Sequence, residues 1–404
     1  MSINFRRITS LFTRGPSRQA AASDHERRPV ILMAHPGADL YGADRVFLEA
    51  VDCCVADGLD IVVTIPGPGP LVQELESRDV RVIYCSTPVL RKSLLTITGI
   101  LQLATKTITG LISGWRLIRL AKPKIIYVNT LTIPLWTILA RIFRLPVVSH
   151  VHEAEKSIPK IQRLMLSTPL LLSTKIIVNS RFTSDVLVGD IPRLSKKISV
   201  VLNGVAGPLT KTAPRELIIG SLNMLYVGRV SHRKGVDVAI EAVKCARDRG
   251  VTVHLDIVGT TYPGNEAFET DLRQLINHLN VRSSITMHGF QSDVWAYLDR
   301  TDIAIVPSRA DESFGNTAVE AILAERPLIV SKKPGLIEAA GGYGAPQFVA
   351  PDDPAAITDA IVMLYENWGH YRGLVSQDSE TAGVRQSTEQ FRGGVRKVLC
   401  EYLR

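Results

Sequence analysis

Two glutamates, Glu312 and Glu320, stand with seven residues between them around a glycine turn in PSRADESFGNTAVEAILAERPLIVS, Pro307 to Ser331. A strand is expected to end near Pro307 and a helix to begin near Asn316 and run to Glu325. Gly315 lets the backbone turn closely, and Asn316 or Thr317 supplies a cap. A helix opening at a strand's carboxyl end presents free N–H groups and partial positive charge, which favour a phosphate. One carboxylate is then placed to reach a sugar ring and the other to take paired hydroxyls, such as those of a ribose. Upstream, YVGRVSHRKG puts Arg229 directly after Gly228 and Lys234 just before a helix starting near Gly235. A planar guanidinium fork and a mobile ammonium on one strand-to-helix loop suit a diphosphate.

The elements that must position these loops read as α/β. Short apolar runs at Val30–Ala34, Asp60–Ile65, Val80–Tyr84, Ile125–Val128, Val147–His150, Lys175–Val178 and Ile198–Leu202 alternate with helix-length segments. The stretch AGPLTKTAPRE interrupts them, and the rhythm restarts at Met224–Val227, Val253–Val258, Ile285–His288, Asp302–Val306, Leu328–Val330 and Phe348–Val349. Strands apolar on both faces and separated by helices indicate parallel sheets covered on both sides. The expected organisation is a basic arm over 1–28, a Rossmann-like domain over 29–205, a linker over 206–217 and a second Rossmann-like domain over 218–385. A terminal helix over 386–404 would follow, returning to the first domain. In doubly wound folds, ligands bind at the carboxyl ends of the strands.

Bulk properties narrow the function without choosing it. At 404 residues two domains are the default, and a formal net charge of +8 suits a phosphate-bearing partner or an anionic membrane surface. Five scattered cysteines without a C-x-x-C pair argue against a disulfide framework or a zinc site and fit a reducing compartment. No Asp-x-Asp or H-E-x-x-H occurs, so a metal clamp has no obvious ligands and no metal is expected. The chain also lacks a P-loop and any G-x-G-x-x-G; its first strand leads instead into His35-Pro-Gly-Ala-Asp-Leu-Tyr-Gly. No recognised nucleic-acid module accompanies the positive charge.

Taken together, Gly228-Arg229, Lys234-Gly235 and Glu312-Ser-Phe-Gly-Asn with Glu320 resemble the retaining GT-B glycosyltransferases of family four. Asn203-Gly204-Val205 resembles that family's Pro-Asn-Gly-Val turn, with Leu202 in place of proline, and His152-Glu153 resembles its His-Asp/Glu loop. Gly42-Ala43-Asp44-Arg45 resembles its first-loop Gly-Gly-x-Glu-Arg pattern, with Tyr41 replacing a glycine and Asp44 a glutamate. The resemblance implies two Rossmann-like domains facing across a cleft, a nucleotide-diphosphate sugar as donor and no separate cofactor. It also implies that Arg229 and Lys234 hold the diphosphate, that Glu312 with the backbone of Phe314, Gly315 and Asn316 holds the sugar, and that Glu320 binds the ribose. His152 would sit across the cleft near the reacting sugar, and the Gly42 loop would approach the phosphate or the acceptor.

Between Tyr84 and His152 nine basic residues, among them Arg91, Lys92, Arg116, Arg119 and Arg141, occur without one Asp or Glu and are interleaved with apolar residues. Such a segment can lie on an anionic membrane. The expectation is therefore a cytoplasmic enzyme held peripherally at the inner face of the cytoplasmic membrane, acting on a glycan or lipid-linked acceptor and not on nucleic acid. Two other classes stay open: a catalytically inactive GT-B-like interaction protein at the membrane surface, and an NAD-linked dehydrogenase.

Overall fold

The computed structural model describes residues 28–90, 97–262 and 264–403. Most of the basic arm and the pair Arg91 and Lys92 lie outside the described residues. Among the described residues, thirteen strands form two sheets, both parallel throughout. The first contains β1 (Val30–Ala34), β2 (Asp60–Ile65), β3 (Arg81–Tyr84), β4 (Ile125–Val128), β5 (Val147–Val151), β6 (Lys175–Val178) and β7 (Ile198–Val200). The second contains β8 (Leu222–Val227), β9 (Val253–Val258), β10 (Ile285–Gly289), β11 (Ile303–Val306), β12 (Leu328–Ser331) and β13 (Gln347–Val349). The spatial orders are β3-β2-β1-β4-β5-β6-β7 and β10-β9-β8-β11-β12-β13, both doubly wound. The expected α/β class and twin Rossmann-like architecture are borne out, with every strand within two residues of its sequence-based limits.

Each order reverses direction once, between β1 and β4 in the first sheet and between β8 and β11 in the second. At such a switch point the flanking loops part and leave a crevice. The central strands can occupy these positions because they are apolar on both faces: Ile31 to Ala34 and Ile125 to Val128 are all buried, as are Ile303 to Val306. Helices then cover each face, so each lobe has a core on either side of its sheet.

The chain crosses between lobes twice. The first crossing, from Val201 to Ser221, has no regular helix or strand, in keeping with its Gly and Pro. At the second, the helix Trp368–Arg385 ends and the helix Thr388–Leu403 runs back onto the first lobe. Its apolar face, Phe391, Val395, Val398 and Leu399, joins the core formed by β1, β2 and the helix Gly42–Ala56. Arg392 adds ion pairs to Glu49 at 2.7 Å and Asp52 at 3.2 Å.

Phe391 is 1% exposed and lies near His150, with ring centroids 5.9 Å apart. Removing a buried Phe side chain costs about 3–5 kcal/mol. Phe391→Ala should therefore lower the unfolding free energy of the first lobe, read from urea melts, by an amount near that range, with a correspondingly lower midpoint. An unchanged midpoint would mean that the terminal helix contributes nothing to this core.

Candidate active site

At the second switch point the loops after β8 and β11 face each other. Lys234 Nζ donates to Glu312 Oε1 at 2.6 Å, and Ser308 Oγ donates to the same oxygen at 2.7 Å. Burial alone would raise the Glu312 pKa, but the Lys234 charge, its hydrogen bond and that of Ser308 outweigh it and hold the carboxyl below its usual value. Glu312 is therefore anionic and fixed in place. Phe314 is 1% exposed and belongs to the lobe's core, so only its backbone is available to a ligand. Gly315, at φ 117°, is the N-cap of the helix Asn316–Leu323 and makes no side-chain cap.

Two sequence expectations are corrected here. Neither Asn316 nor Thr317 caps the helix, because the chain enters it through the left-handed glycine. Asn316 is thereby released to work between lobes: its Oδ1 accepts from Asn203 Nδ2 at 2.8 Å, and its Nδ2 donates to the Gly42 carbonyl at 3.2 Å. The helix also stops at Leu323 and does not reach Glu325, which adopts a left-handed φ of 61°.

Arg229 packs against two aromatic rings. Its guanidinium carbon is 3.4 Å from the Tyr262 centroid and 4.6 Å from that of Tyr41, which comes from the other lobe. Its Nε is buried and has no hydrogen-bond partner among the described residues. A planar cation held against aromatic rings keeps its N–H donors in its own plane, where an oxyanion would meet them.

The first switch point carries a polar chain. Asn129, just after β4, donates from Nδ2 to His35 Nδ1 at 3.0 Å, and His35 Nε2 lies 2.8 Å from Asp44 Oδ1. The other side of the same amide, Asn129 Oδ1, accepts from His152 Nε2 at 2.9 Å. This places both ring protons on Nε2 and leaves His152 Nδ1 a buried lone pair with no partner among the described residues. Burial, with His35 close by, lowers the His152 pKa to about 3. Glu153 beside it accepts from Thr130 Oγ1 and from the His152 N–H, and burial raises its pKa.

The two switch points share one cleft. The loop after β5 meets the second lobe through Lys156 N–H to Asp311 Oδ2 at 2.9 Å and Glu155 to Arg233 at 3.3 Å. Arg45 reaches Ser292 O at 2.6 Å. Glu320 and Asn316 line a cavity of about 390 Å³ between the lobes, together with Arg45, Gly204 and Trp295. Burial raises the Glu320 pKa, and the Arg45 charge partly opposes this. Glu338 is occupied within the fold, where its carboxylate accepts from the Arg181 and Phe182 N–H groups at 2.8 and 3.1 Å and closes the start of the helix Arg181–Asp190. Among the described residues, no group of three His, Cys, Asp or Glu is placed to hold a metal ion.

His35 and Asn129 are not among the sequence-based site residues, although each follows a predicted parallel strand and the switch-point rule points to that place. Tyr262 carried no comparable signal.

Two family models match: one described as Glycosyltransferase Family 4 over residues 41–206, the other as Glycosyl transferases group 1 over residues 221–367. Between them they cover most of the chain. The chain belongs to the family 4 glycosyltransferases. Among curated relatives of this glycosyltransferase, the lipopolysaccharide 1,2-N-acetylglucosaminetransferase of Salmonella typhimurium is 29% identical over 175 residues, 41% of this chain and 45% of that protein. The glycogen synthase of Mycobacterium tuberculosis is 29% identical over 240 residues, 55% of each chain. The alignment thus spans about half the length of these curated relatives. Anabaena HepE, solved in complex with UDP-glucose, superposes with a TM-score of 0.79 at 19% identity, over 92% of this chain and 99% of that one. The fold is GT-B.

An imidazole with a folded pKa of about 3, against an ordinary 6.5, binds fewer protons folded than unfolded. Its stabilising contribution is complete above pH 6.5 and is lost as the pH falls from there toward 3. In His152→Asn, urea melts across that window should therefore show a shallower acid loss, by up to about 1.4 kcal/mol per pH unit. A slope equal to that of the wild type would mean that His152 protonates freely in the folded chain.

Proposed function

We propose that this glycosyltransferase moves a sugar from a nucleotide-diphosphate sugar to a glycan or lipid-linked acceptor, without a metal and with retention of anomeric configuration. The observation that carries the reading is the convergence of three features at one switch point: the Arg229 edge, the Lys234–Glu312 pair and the Gly315 helix start. The second lobe takes the donor there, with the diphosphate against Arg229, Lys234 and the helix N–H groups. Glu312 and the backbone of Phe314, Gly315 and Asn316 hold the sugar, and Glu320 takes the ribose hydroxyls at the cavity wall.

The chemistry follows from where charge develops. The bond from the anomeric carbon to the diphosphate oxygen breaks, and its electron pair leaves with the diphosphate. Arg229 and Lys234 stabilise that charge in place of a divalent ion. The acceptor oxygen bonds to the same carbon, and its proton passes to the departing phosphate on the same face, which retains configuration. His152, neutral and offering a lone pair at Nδ1, accepts a hydrogen bond from a sugar hydroxyl and takes no part in charge transfer.

The test is a screen of UDP-, GDP- and ADP-sugars for binding and turnover, run with and without EDTA. Turnover should persist in EDTA, and Lys234→Ala, assayed below the melting temperature that the unpaired Glu312 carboxylate lowers, should lose about 10²- to 10³-fold in kcat/KM. Normal turnover by a folded Lys234→Ala chain removes Lys234 from the mechanism, and strict dependence on Mn²⁺ or Mg²⁺ refutes the metal-free step.

On the same reading, the first lobe docks on an anionic membrane. The helix Ile97–Ala121 exposes Ile108, Ile112, Trp115 and Leu120, and the helix Leu135–Ile142 exposes Ile138 and Ile142. Gly110 and Gly114 let these helices touch: a Cβ at either would lie within 3 Å of Leu135 or Leu139. Their apolar faces therefore form one surface, edged by the exposed Lys106, Arg116, Arg119, Arg141 and Arg144. Trp115 lies 6.1 Å from Phe143, and Arg119 lies over its ring. Among the described residues no helix is long and apolar enough to cross a membrane, so contact would be peripheral. A basic residue near an anionic surface contributes about 1 kcal/mol. Replacing Arg116 and Arg119 by Gln should then weaken sedimentation with phosphatidylglycerol vesicles by roughly tenfold or more. Equal sedimentation of variant and wild type would defeat the docking.

A further inference from the structure

We propose that Tyr41 is a positioning residue that makes capture of the donor diphosphate conditional on closure of the two lobes. The inference rests on the donor reading above and extends it to a residue standing where the family pattern has glycine. Arg229 belongs to the second lobe, and so does Tyr262, whose ring covers one face of the guanidinium at 3.4 Å. The same guanidinium carbon also lies over the ring of Tyr41, across the cleft, at 4.6 Å from its centroid. A guanidinium stacked on one side only can turn its open face to water or swing out of the loop. Held against both rings, it is restrained and partly dehydrated, and its N–H donors are left to bind an oxyanion.

Tyr41 is itself firmly held. Its backbone N–H donates to Asp44 Oδ2 at 2.7 Å, while the second oxygen of that carboxylate faces His35 Nε2 at 2.8 Å. The two departures in the first-loop pattern therefore act together, with the aspartate fixing the backbone from which the tyrosine projects. Around the ring, the lobes meet at three further places: Tyr41 against Phe290 with centroids 5.7 Å apart, Gly42 O with Asn316 Nδ2, and Arg45 with Ser292 O. The ring can reach Arg229 only when these surfaces are together. Whatever closes the lobes prepares Arg229 for the anion. By reciprocity, an anion bound at Arg229 favours closure.

The experiment is a double-mutant cycle on the full chain, with UDP, GDP and ADP each titrated calorimetrically. Tyr41→Ala should weaken binding of the preferred diphosphate about tenfold, as expected for loss of a partly dehydrated cation–π contact. Tyr41→Phe, which keeps the ring, should bind like the wild type. In an Arg229→Ala background, Tyr41→Ala should cost nothing further, since the ring then has no cation to hold. Small-angle scattering should show the wild type contracting with saturating diphosphate and Tyr41→Ala contracting less.

Binding by Tyr41→Ala as tight as wild type, or tighter, would overturn the inference; the tighter case would make the ring a plug. Additive losses in the cycle would overturn it as well, showing a general loop effect. Should the wild type bind none of the three diphosphates, the donor reading fails and this inference with it. That result is distinct from an insensitive Tyr41 in a chain that does bind.

Discussion

A parallel sheet is polar, and both sheets of this chain turn their carboxyl ends toward the same gap. Everything at the candidate site follows from that constraint. A parallel βα unit ends its strand in a loop that leads into a helix start, so backbone donors and short polar side chains gather at one end of the sheet. With two sheets face to face, the loops after β1, β4 and β5 are set against those after β8 and β11. Contacts such as Gly42 with Asn316 and Lys156 with Asp311 are the direct result. Neither lobe contains a whole site.

The lobes solve the electrostatic problem in opposite ways. The second lobe keeps charge: Arg229 with its donors along one edge, and Lys234 already balanced by Glu312. Balance matters, because a buried carboxylate or ammonium left alone would carry a large desolvation cost. The first lobe suppresses charge. His150 and His152 lie with ring centroids 3.9 Å apart, and burial holds both pKa values far down. Tyr127 Oη, 2.5 Å from His150 Nδ1, and Asn129 each partner one nitrogen of these rings, while His150 Nε2 and His152 Nδ1 have no partner among the described residues. On the proposed donor reading, a diphosphate at Arg229 and Lys234 would face neutral imidazoles at the first switch point.

How much of this was legible in the sequence depends on the kind of signal. The strands were readable because burial on both faces imposes unbroken apolar runs, and they came within two residues of their limits. Arg229, Lys234, Glu312 and Gly315 were readable because loops bearing glycine beside charge stand out from helix and strand patterns. Asn316 was found, but as a helix cap; its bonds to Asn203 and Gly42 span 113 and 274 residues, and no local pattern encodes a contact of that range. His35 and Asn129 are single polar residues at strand ends, individually unremarkable, and only their meeting across β1 and β4 makes them a chain. Tyr41 was seen as a departure from a pattern, and its partner on Arg229 lies in the other lobe.

The neutrality of His152 bears on the direction of charge flow. As the anomeric bond breaks, the sugar turns electron-poor and the diphosphate electron-rich. A protonated imidazole near the sugar would oppose the first change and compete with Arg229 and Lys234 for the second. An imidazole kept neutral by burial does neither, while on the proposed mechanism its Nδ1 lone pair accepts a hydrogen bond from a sugar hydroxyl. Asn129 is what makes this possible: its amide accepts from His152 Nε2 and donates to His35 Nδ1, so each imidazole is fixed in one tautomer and neither needs a charge to be satisfied. A carboxylate at that position would serve as acceptor to both rings and draw a proton onto one of them. On the proposed mechanism, the amide at the first switch point and the cations at the second are thus two halves of one arrangement, in which Arg229 and Lys234 attract the leaving group and the facing imidazoles do not compete for it.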